Sequence, residues 1–561
     1  MIPGGDIFRI LISAVLVIVP AASCYGNKAE VHDSGIDAFF ENDGSDTGAG
    51  DMDTDSDNDT DSDNDTDTDG DMDADADTDT DADADILEQG GFLTWVRMAG
   101  GNKNDEAHDI AALPSGASYV IGNYIKEATF GIGEQNETTL ESTGHDAMSN
   151  VFLARYSSKG RLEWVRGITS NHSGYGNGVA VLSDGSALIT GHSYTPVTFD
   201  TNNSYETLPS GVYVAKYDSD GTFVWARNAT ARTSRDMAVF PDGSFVITGT
   251  YSDSATFGDK DEDKTTLKSD NEPPDIFTAR YNADGTISWA VSAGGDCLYE
   301  GSGGTAVLSD GSIIVTGWFA GFSIFGKEDP NETTLISDGD VERSDIFLAR
   351  YNSNGVLLWA KRAGGYGYDQ GRSVASFGDG TFIITGSYEY SCYFNEGEPD
   401  EARIDALSDS DIFIAKYDLE GNLKWAKSAG GIFYDEVMDI DAFSDHSFVI
   451  TGNFDHAATF GKGELYETTI KSQPHDDNFP YRQDIFIAKY NSNGRVLWAK
   501  GAGGVPEDSG YGIAALENGM SLVTGCYFPE AVFGEGEARE TILDIVFPEG
   551  GHDIFIAKFS P

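Results

Sequence analysis

The sequence predicts an all-β protein, a seven-bladed β-propeller of four-stranded antiparallel blades closed by an N-terminal strand that completes the last blade. Three observations predict it. One phrase recurs seven times after residue 91, Asp-Gly and Asn-Gly turns punctuate its strand segments, and the first and last copies are complementary fragments. Gly at 67 residues, with 25 Tyr and 32 Phe, suits short strands joined by tight turns, and no long amphipathic helix is evident.

Residues 1–23 read as an export signal. Arg9 precedes an apolar run from Ile10 to Pro20, too short to span a bilayer, and the small residues Ala21, Ala22 and Ser23 stand before Cys24. The segment "VPAASC" resembles the bacterial lipobox, which implies acylation of Cys24 as the mature first residue. Ala21 stands where leucine is more usual, and Asp6 weakens the basic segment; the other reading is an ordinary signal cut near Ala22. Tyr25 after the cysteine, in place of Asp, favours the outer membrane or cell surface by resemblance to enterobacterial sorting. Several acyl chains are needed for firm anchoring, since one alone binds marginally.

Residues 24–86 read as a disordered acidic linker. From Asp51 to Asp85 every second residue is Asp, with Met52 and Met72 as the only sizeable apolar side chains between them. Charges about 7 Å apart within a Debye length of about 8 Å repel and extend such a chain. Asp65, Asp67, Asp69, Gly70, Asp71 and Asp73 copy the first half of an EF-hand loop, but Ala76 stands where the bidentate Glu belongs, so loose counterions are the expectation, with calcium a weak alternative. No other cofactor is expected. The formal charge of −59 divides into −23 for residues 1–86 and −36 for the rest. Such a field excludes nucleic acid as a partner and leaves the lipid anchor as the expected membrane contact.

The propeller is expected over residues 87–561. Its phrase runs "LLWAKRAGG", "GGTAVLSDGSIIVTG", "FGKEDPNETTL" and "DIFLARYNSNG", marked by Trp95, Trp164, Trp225, Trp289, Trp359, Trp425 and Trp498 at spacings of 61 to 73 residues. In the fourth copy the strands are read at 305–308, 313–317, 346–351 and 356–361. Asp310-Gly311 and Asn354-Gly355 supply the positive φ of tight turns. One such unit cannot bury both faces, so the copies stack in a ring or a line. The termini choose the ring: "GFLTWVRMAGG" is an outermost strand lacking its first three, and "HDIFIAKFSP" is a third strand lacking its fourth.

The phrases "DGSIIVTG", "DIFIAKYN" and "WAKSAGG" resemble the SBBP-type β-propeller repeat of exported bacterial proteins. The resemblance covers residues 92–561 and implies the fold but little about activity. The second blade departs most, with Gly211 and Val212 for Asp-Ile and "SNHSG" for "AGG".

Candidate chemistry lies at the blade crossings. Asp105, Glu300, Asp369, Asp435 and Asp508 recur there and could ring one mouth of the channel for a cation or a basic peptide. The competing reading, which fits recurrence better, has each acid accepting backbone N–H groups in its own loop. A second acid opens the third strand, as Asp275, Asp345, Asp411, Asp484 and Asp553, with Asn150 in the first blade; strand pinning is expected. Trp318 and Phe319 form the one irregular aromatic pair and are the better binding candidates. Cys297, Cys392 and Cys526 are an odd number with no metal-ligand spacing. The long segments 252–274, 319–344 and 453–483 are expected to form extra hairpins on the face of the crossings. "NET" at Asn136 and Asn331 is read as loop chemistry rather than glycosylation.

The sequence carries no catalytic motif. It is therefore read as a monomeric, surface-anchored binding or scaffold module for a protein or glycan. Two alternatives stand. A looser resemblance of "YNSNGVLLWAK" to quinoprotein-type tryptophan repeats implies an outer-membrane assembly factor, and channel-mouth carboxylates such as Asp369 and Asp435 could serve a polysaccharide hydrolase or lyase.

Overall fold

Turn chemistry and apolar patterning agree in every repeat. In the fourth, the strands Glu300–Val307, Ile313–Ala320, Ser344–Tyr351 and Leu357–Gly364 lie in that order from axis to rim. The second and third are buried almost throughout, because neighbouring blades cover both faces, and so they read as continuous apolar runs. In the Asp-Gly and Asn-Gly turns only the glycine takes a positive φ, and in the sixth blade His446 takes it in glycine's place at +67°. Gly355, at +81°, donates to Asn352 O, while Asn352 Oδ1 accepts from Asn354 N, so the dipeptide divides the work and the turn is one residue wider than two paired left-handed residues would give.

The computed structural model describes residues 90–142, 148–200, 205–258, 264–269, 274–295, 299–338, 343–407, 410–473, 483–505, 507–544 and 551–561. The signal, Cys24, the acidic linker with its EF-hand-like fragment, and Cys297 lie outside them. The described residues contain no helix and form seven four-stranded antiparallel blades around an axis.

Closure follows the expected pairing. Leu93–Ala99 lies antiparallel against Asp553–Phe559, with Val96 opposite Ala557, and completes the sheet of Ser521–Tyr527 and Ser509–Ala515. Seven separate apolar clusters fill seven inter-blade interfaces, one more than an open row of seven would have. One contains Leu93, Val96, Ile487 and Phe555; another joins Ile554 and Ile556 of the last blade to Val120 and Phe152 of the first.

The seven tryptophans are latches between blades. Each ring lies on the turn glycine of the following blade: a Cβ on Gly160 would sit 2.8 Å from Trp95, and one on Gly221 2.8 Å from Trp164. Gly285, Gly355, Gly421 and Gly494 stand likewise under Trp225, Trp289, Trp359 and Trp425, and Gly91 under Trp498 closes the series. Indole N–H groups of Trp164, Trp289 and Trp359 donate to Ser219, Ser353 and Leu419 carbonyls across the same seams.

The extra hairpins form, and they belong to the fold. Glu127–Phe130 with Thr138–Glu141 is the first, and each blade inserts its counterpart between its second and third strands. Each reaches back to the rim strand of the preceding blade, as in Ala363 opposite Phe394, Ala293 opposite Phe325, or the bridges Gly430–Thr459 and Gly503–Val532. An exposed sheet edge is thereby covered by the next blade. The "NET" asparagines serve this belt: Asn136 Nδ2 donates to Leu162 O, and Asn331 Nδ2 to Leu357 O, both at 3.1 Å.

Candidate functional site

The blade crossings and the hairpins lie at one end of the disc, the Asp-Gly turns at the other. At the crossings the recurring acids are wholly buried. Asp435 Oδ2 accepts from Gly431 N at 2.6 Å and Oδ1 from Asp455 N at 3.2 Å; Asp508 takes Gly504 N and Phe528 N, and Asp369 takes Gly365 N and Glu389 N. Asp105 accepts from Ile125 N, and Glu300 is equally enclosed. The carboxylates therefore pin each crossing to the end of the second strand and present no charged ring to a ligand. Asp369 and Asp435, the pair that a hydrolase or lyase would use, have no surface on which to meet a polysaccharide.

The third-strand acids stand beside them. Asp411 Oδ2 accepts from Leu407 N, Asp484 Oδ2 from Gln473 N, and Asp345 Oδ2 from Asp338 N and Arg362. Asn150 Oδ1 accepts from Ser170 N, and Asp275 Oδ2 takes the Tyr251 hydroxyl. A third-strand acid faces the first glycine of "AGG" at each such crossing, and at Gly430 and Gly503 both acids do: a Cβ on Gly430 would lie 2.6 Å from Asp411 Oδ1 and 2.9 Å from Asp435 Oδ2. Burial, and then the charge of the partner acid, push Asp369, Asp435 and Asp484 above the ordinary carboxylate range. Burial takes Asp345 to about 7 and Asp411 to about 6.

The carboxylates that do line the channel stand four residues further along the inner strands. Asp109 bonds Ile110 N and Val179 N, Asp236 bonds Met237 N and Thr305 N, and Asp439 bonds Ile440 N and Ile513 N, each joining its inner strand to that of the next blade. Burial raises Asp109 to about 7 and Asp236 to about 6. Just before each stands a bulged residue that differs between copies: His108, Asn177, Arg235, Arg372, Met438 or Tyr511, with Gly303 and Gly304 in the fourth blade. Sequence reasoning missed this position; its variability inside an otherwise regular repeat was the available signal.

The irregular aromatic pair divides. Phe319 is fully buried in the core between the third and fourth blades and has nothing to offer a ligand. Trp318 is half-buried, lies across Gly301 of the inner strand, and carries the Arg372 guanidinium 5.4 Å from its ring centroid. The outward aromatics are others: Tyr299, Tyr366, Tyr368, Tyr390 and Tyr434 are exposed on the crossing end of the fourth to sixth blades, with the aliphatic Ile432 among them. Tyr390 takes φ +60° at the bend where the fourth blade has Gly321, a strained conformation for an aromatic residue.

Cys392 and Cys526 are buried free thiols in different blades, and burial pushes the Cys392 thiol up. Among the described residues no group of three or more His, Cys, Asp or Glu is placed to hold a metal ion.

No family model matches the chain. It is similar to an uncharacterised WD repeat-containing protein of Acanthamoeba polyphaga mimivirus, 21% identical over 477 residues that make 74% of this chain and 34% of that one. It is also similar to the regulatory protein FlaEY of Caulobacter vibrioides, 27% identical over 238 residues, 39% of this chain and 24% of that one. The chain thus spans about a third and a quarter of these relatives' lengths. Solved structures that it resembles include the RRP9 WD40 repeats, at 8% identity and TM-score 0.38 over 84% of this chain and 99% of that one, and the Dos1 propeller, at 7% identity and TM-score 0.38 over 84% and 95%.

Proposed function

We propose that the protein is a binding propeller, held at the outer membrane or cell surface through Cys24, which presents the crossing end of its disc to a protein or glycan. The observation that carries the reading is the exposed aromatic sector. Tyr366 and Tyr390 are 59% and 56% exposed, and Tyr299, Tyr368 and Tyr434 are exposed with them on one end and within three consecutive blades, beside the exposed Ile432. Clustered tyrosines of this kind supply rigid, amphipathic contact area to partner proteins and stacking planes to sugars. The chain enters the disc at the opposite end, at Gly90 beside the last residue, so the aromatic end is free of the tether's attachment point.

The test is capture on a glycan array and from envelope extract by the purified chain and by a Tyr366→Ala, Tyr368→Ala, Tyr390→Ala variant. The variant is expected to melt as the parent does and to lose its partner. Equal capture by both would remove the aromatic sector from the reading.

A further inference from the structure

The third-strand residue opposite the blade tryptophan is a cation in every blade: Arg350 is opposite Trp359, Lys416 opposite Trp425, and Lys558 opposite Trp95. From the second blade to the sixth, the Asp of the turn between first and second strands serves this cation. Lys216 lies 3.3 Å from Asp184, Arg280 4.0 Å from Asp242, and Arg350 2.5 Å from Asp310. Lys416 and Lys489 feel the charges of Asp379 and Asp445, donate to Ser492 O and Gly519 O of the next blade, and lie over the rings of Phe377 and Phe443. The first blade has Ser115 at the Asp position, and its Arg155 takes Glu163 at 3.1 Å instead.

The seventh blade lacks every one of these partners. Its turn reads Leu516, Glu517, Asn518, Gly519, so Asn518 stands where the carboxylate belongs and Leu516 where the ring does. Lys558 is 5% exposed, and among the described residues it has no hydrogen-bond or ion-pair partner. Its Nζ reaches across the closing seam to the turn of the first blade, 3.6 Å from where Gly116 would carry a Cβ. Burial lowers this ammonium from its ordinary value, with no carboxylate to counter it.

Lys558 opens into a groove of about 830 Å³ between the turns of the seventh and first blades, which Lys159, Arg97 and Arg539 also line, with Glu517 as its one carboxylate. In a chain of 94 acids and 35 bases, that ratio is reversed. Arg97 holds the wall, donating to Val96 O at 2.8 Å and Gly160 O at 3.0 Å, and Arg539 gives Nη1 to Thr94 O. Lys159 is exposed and, among the described residues, without a partner. A nearly buried ammonium without a counter-charge costs free energy that a bound anion offsets. Lysines act on phosphate as point charges, and several cations around one space suit a group carrying more than one negative charge.

We propose that the groove at the closing seam binds a phosphate group, free or as the monoester headgroup of a lipid, between Lys558, Lys159 and Arg539. The site lies at the turn end of the disc and is independent of the aromatic sector and of any partner held there. It draws its anion in only at short range, because the chain's overall charge repels it from further out.

The experiment is calorimetric titration of the full chain at low ionic strength with inorganic phosphate and, separately, with dihexanoylphosphatidic acid below its micelle concentration. One site per chain is expected, with the two probes competing for it; the tighter one shows whether the site takes the free anion or the headgroup. Lys558→Gln should weaken binding by about tenfold or more. Asn518→Asp, which restores the carboxylate of the other blades, should weaken it as well and raise the melting temperature of the ligand-free chain. Lys416→Gln, at the same position of the fifth blade, should leave affinity unchanged. Failure of the parent to bind either probe overturns the proposal, and so does undiminished affinity in both Lys558→Gln and Asn518→Asp.

Discussion

Five of the seven blade junctions are built around two acids and a glycine, and two are built without them. Asp275 with Glu300, Asp345 with Asp369, Asp411 with Asp435, Asp484 with Asp508, and Asp553 with Asp105 form the first group, over Gly294, Gly364, Gly430, Gly503 and Gly100. At the other two the glycine's place is taken by Thr169 and Thr230, and neutral groups do the bonding. Asn150 Oδ1 accepts from Ser170 N at 3.1 Å, while Asn228 Nδ2 donates to Pro209 O and Val212 O at 3.2 Å, and Thr230 Oγ1 accepts from Thr256 N at 2.8 Å. The same crossing is thus held either by carboxylates or by amides and hydroxyls. What differs is the cost of ionisation: two buried carboxylates at one crossing cannot both ionise cheaply, and an amide has nothing to ionise.

The strongest way to break the comparison is to give an acidic junction the neutral residue. Gly430→Thr should destabilise by about 3 kcal/mol or more, because its Cβ meets two carboxylates and its φ of +140° suits only glycine; urea unfolding checks it, and a shift under about 1 kcal/mol would show the junction to be plastic. The next effect is on pH dependence. An acid whose folded value is raised keeps its proton more readily in the native state, so stability is fullest near pH 4 and falls as pH rises toward and through the folded value. With Asp345 at about 7 and Asp411 at about 6, melting temperatures should drop between about pH 5 and about pH 8. Asp484→Asn, which copies Asn150, should reduce that slope and stabilise the protein at about pH 8 by roughly 1 kcal/mol; an unchanged slope would mean that this junction does not titrate. The smallest effect is the reverse exchange. Thr230→Gly meets no carboxylate and should cost about 1 kcal/mol, from the lost Thr256 bond and the added chain freedom.

The repeat made the fold readable. Strand ends, turns and the closing pair Trp95 and Lys558 follow from period and composition, because identical local chemistry was printed seven times. The acids at 105, 369, 435 and 508 were equally visible, and their recurrence already favoured a bracing role over a ligand role. Phe319 was misplaced because alternation along a strand sends neighbours to opposite faces: Trp318 turns toward Arg372 of the fifth blade while the next residue enters the core shared with the third. The cationic groove around Lys558 and the tyrosine sector were invisible for a different reason. They come from two or three blades, are joined only by rotation about the axis, and no spacing along the chain encodes that rotation.

The seam that closes the ring also sets the order of its assembly. Phe92 N donates to the Ser560 hydroxyl across 468 positions, and Leu93 N to Glu537 across 444. The first strand of the disc to leave the ribosome must wait, unpaired, until almost the whole polypeptide has followed it. Closure of the ring is therefore a late event, and a truncation of even the last dozen residues would leave the leading strand without a home.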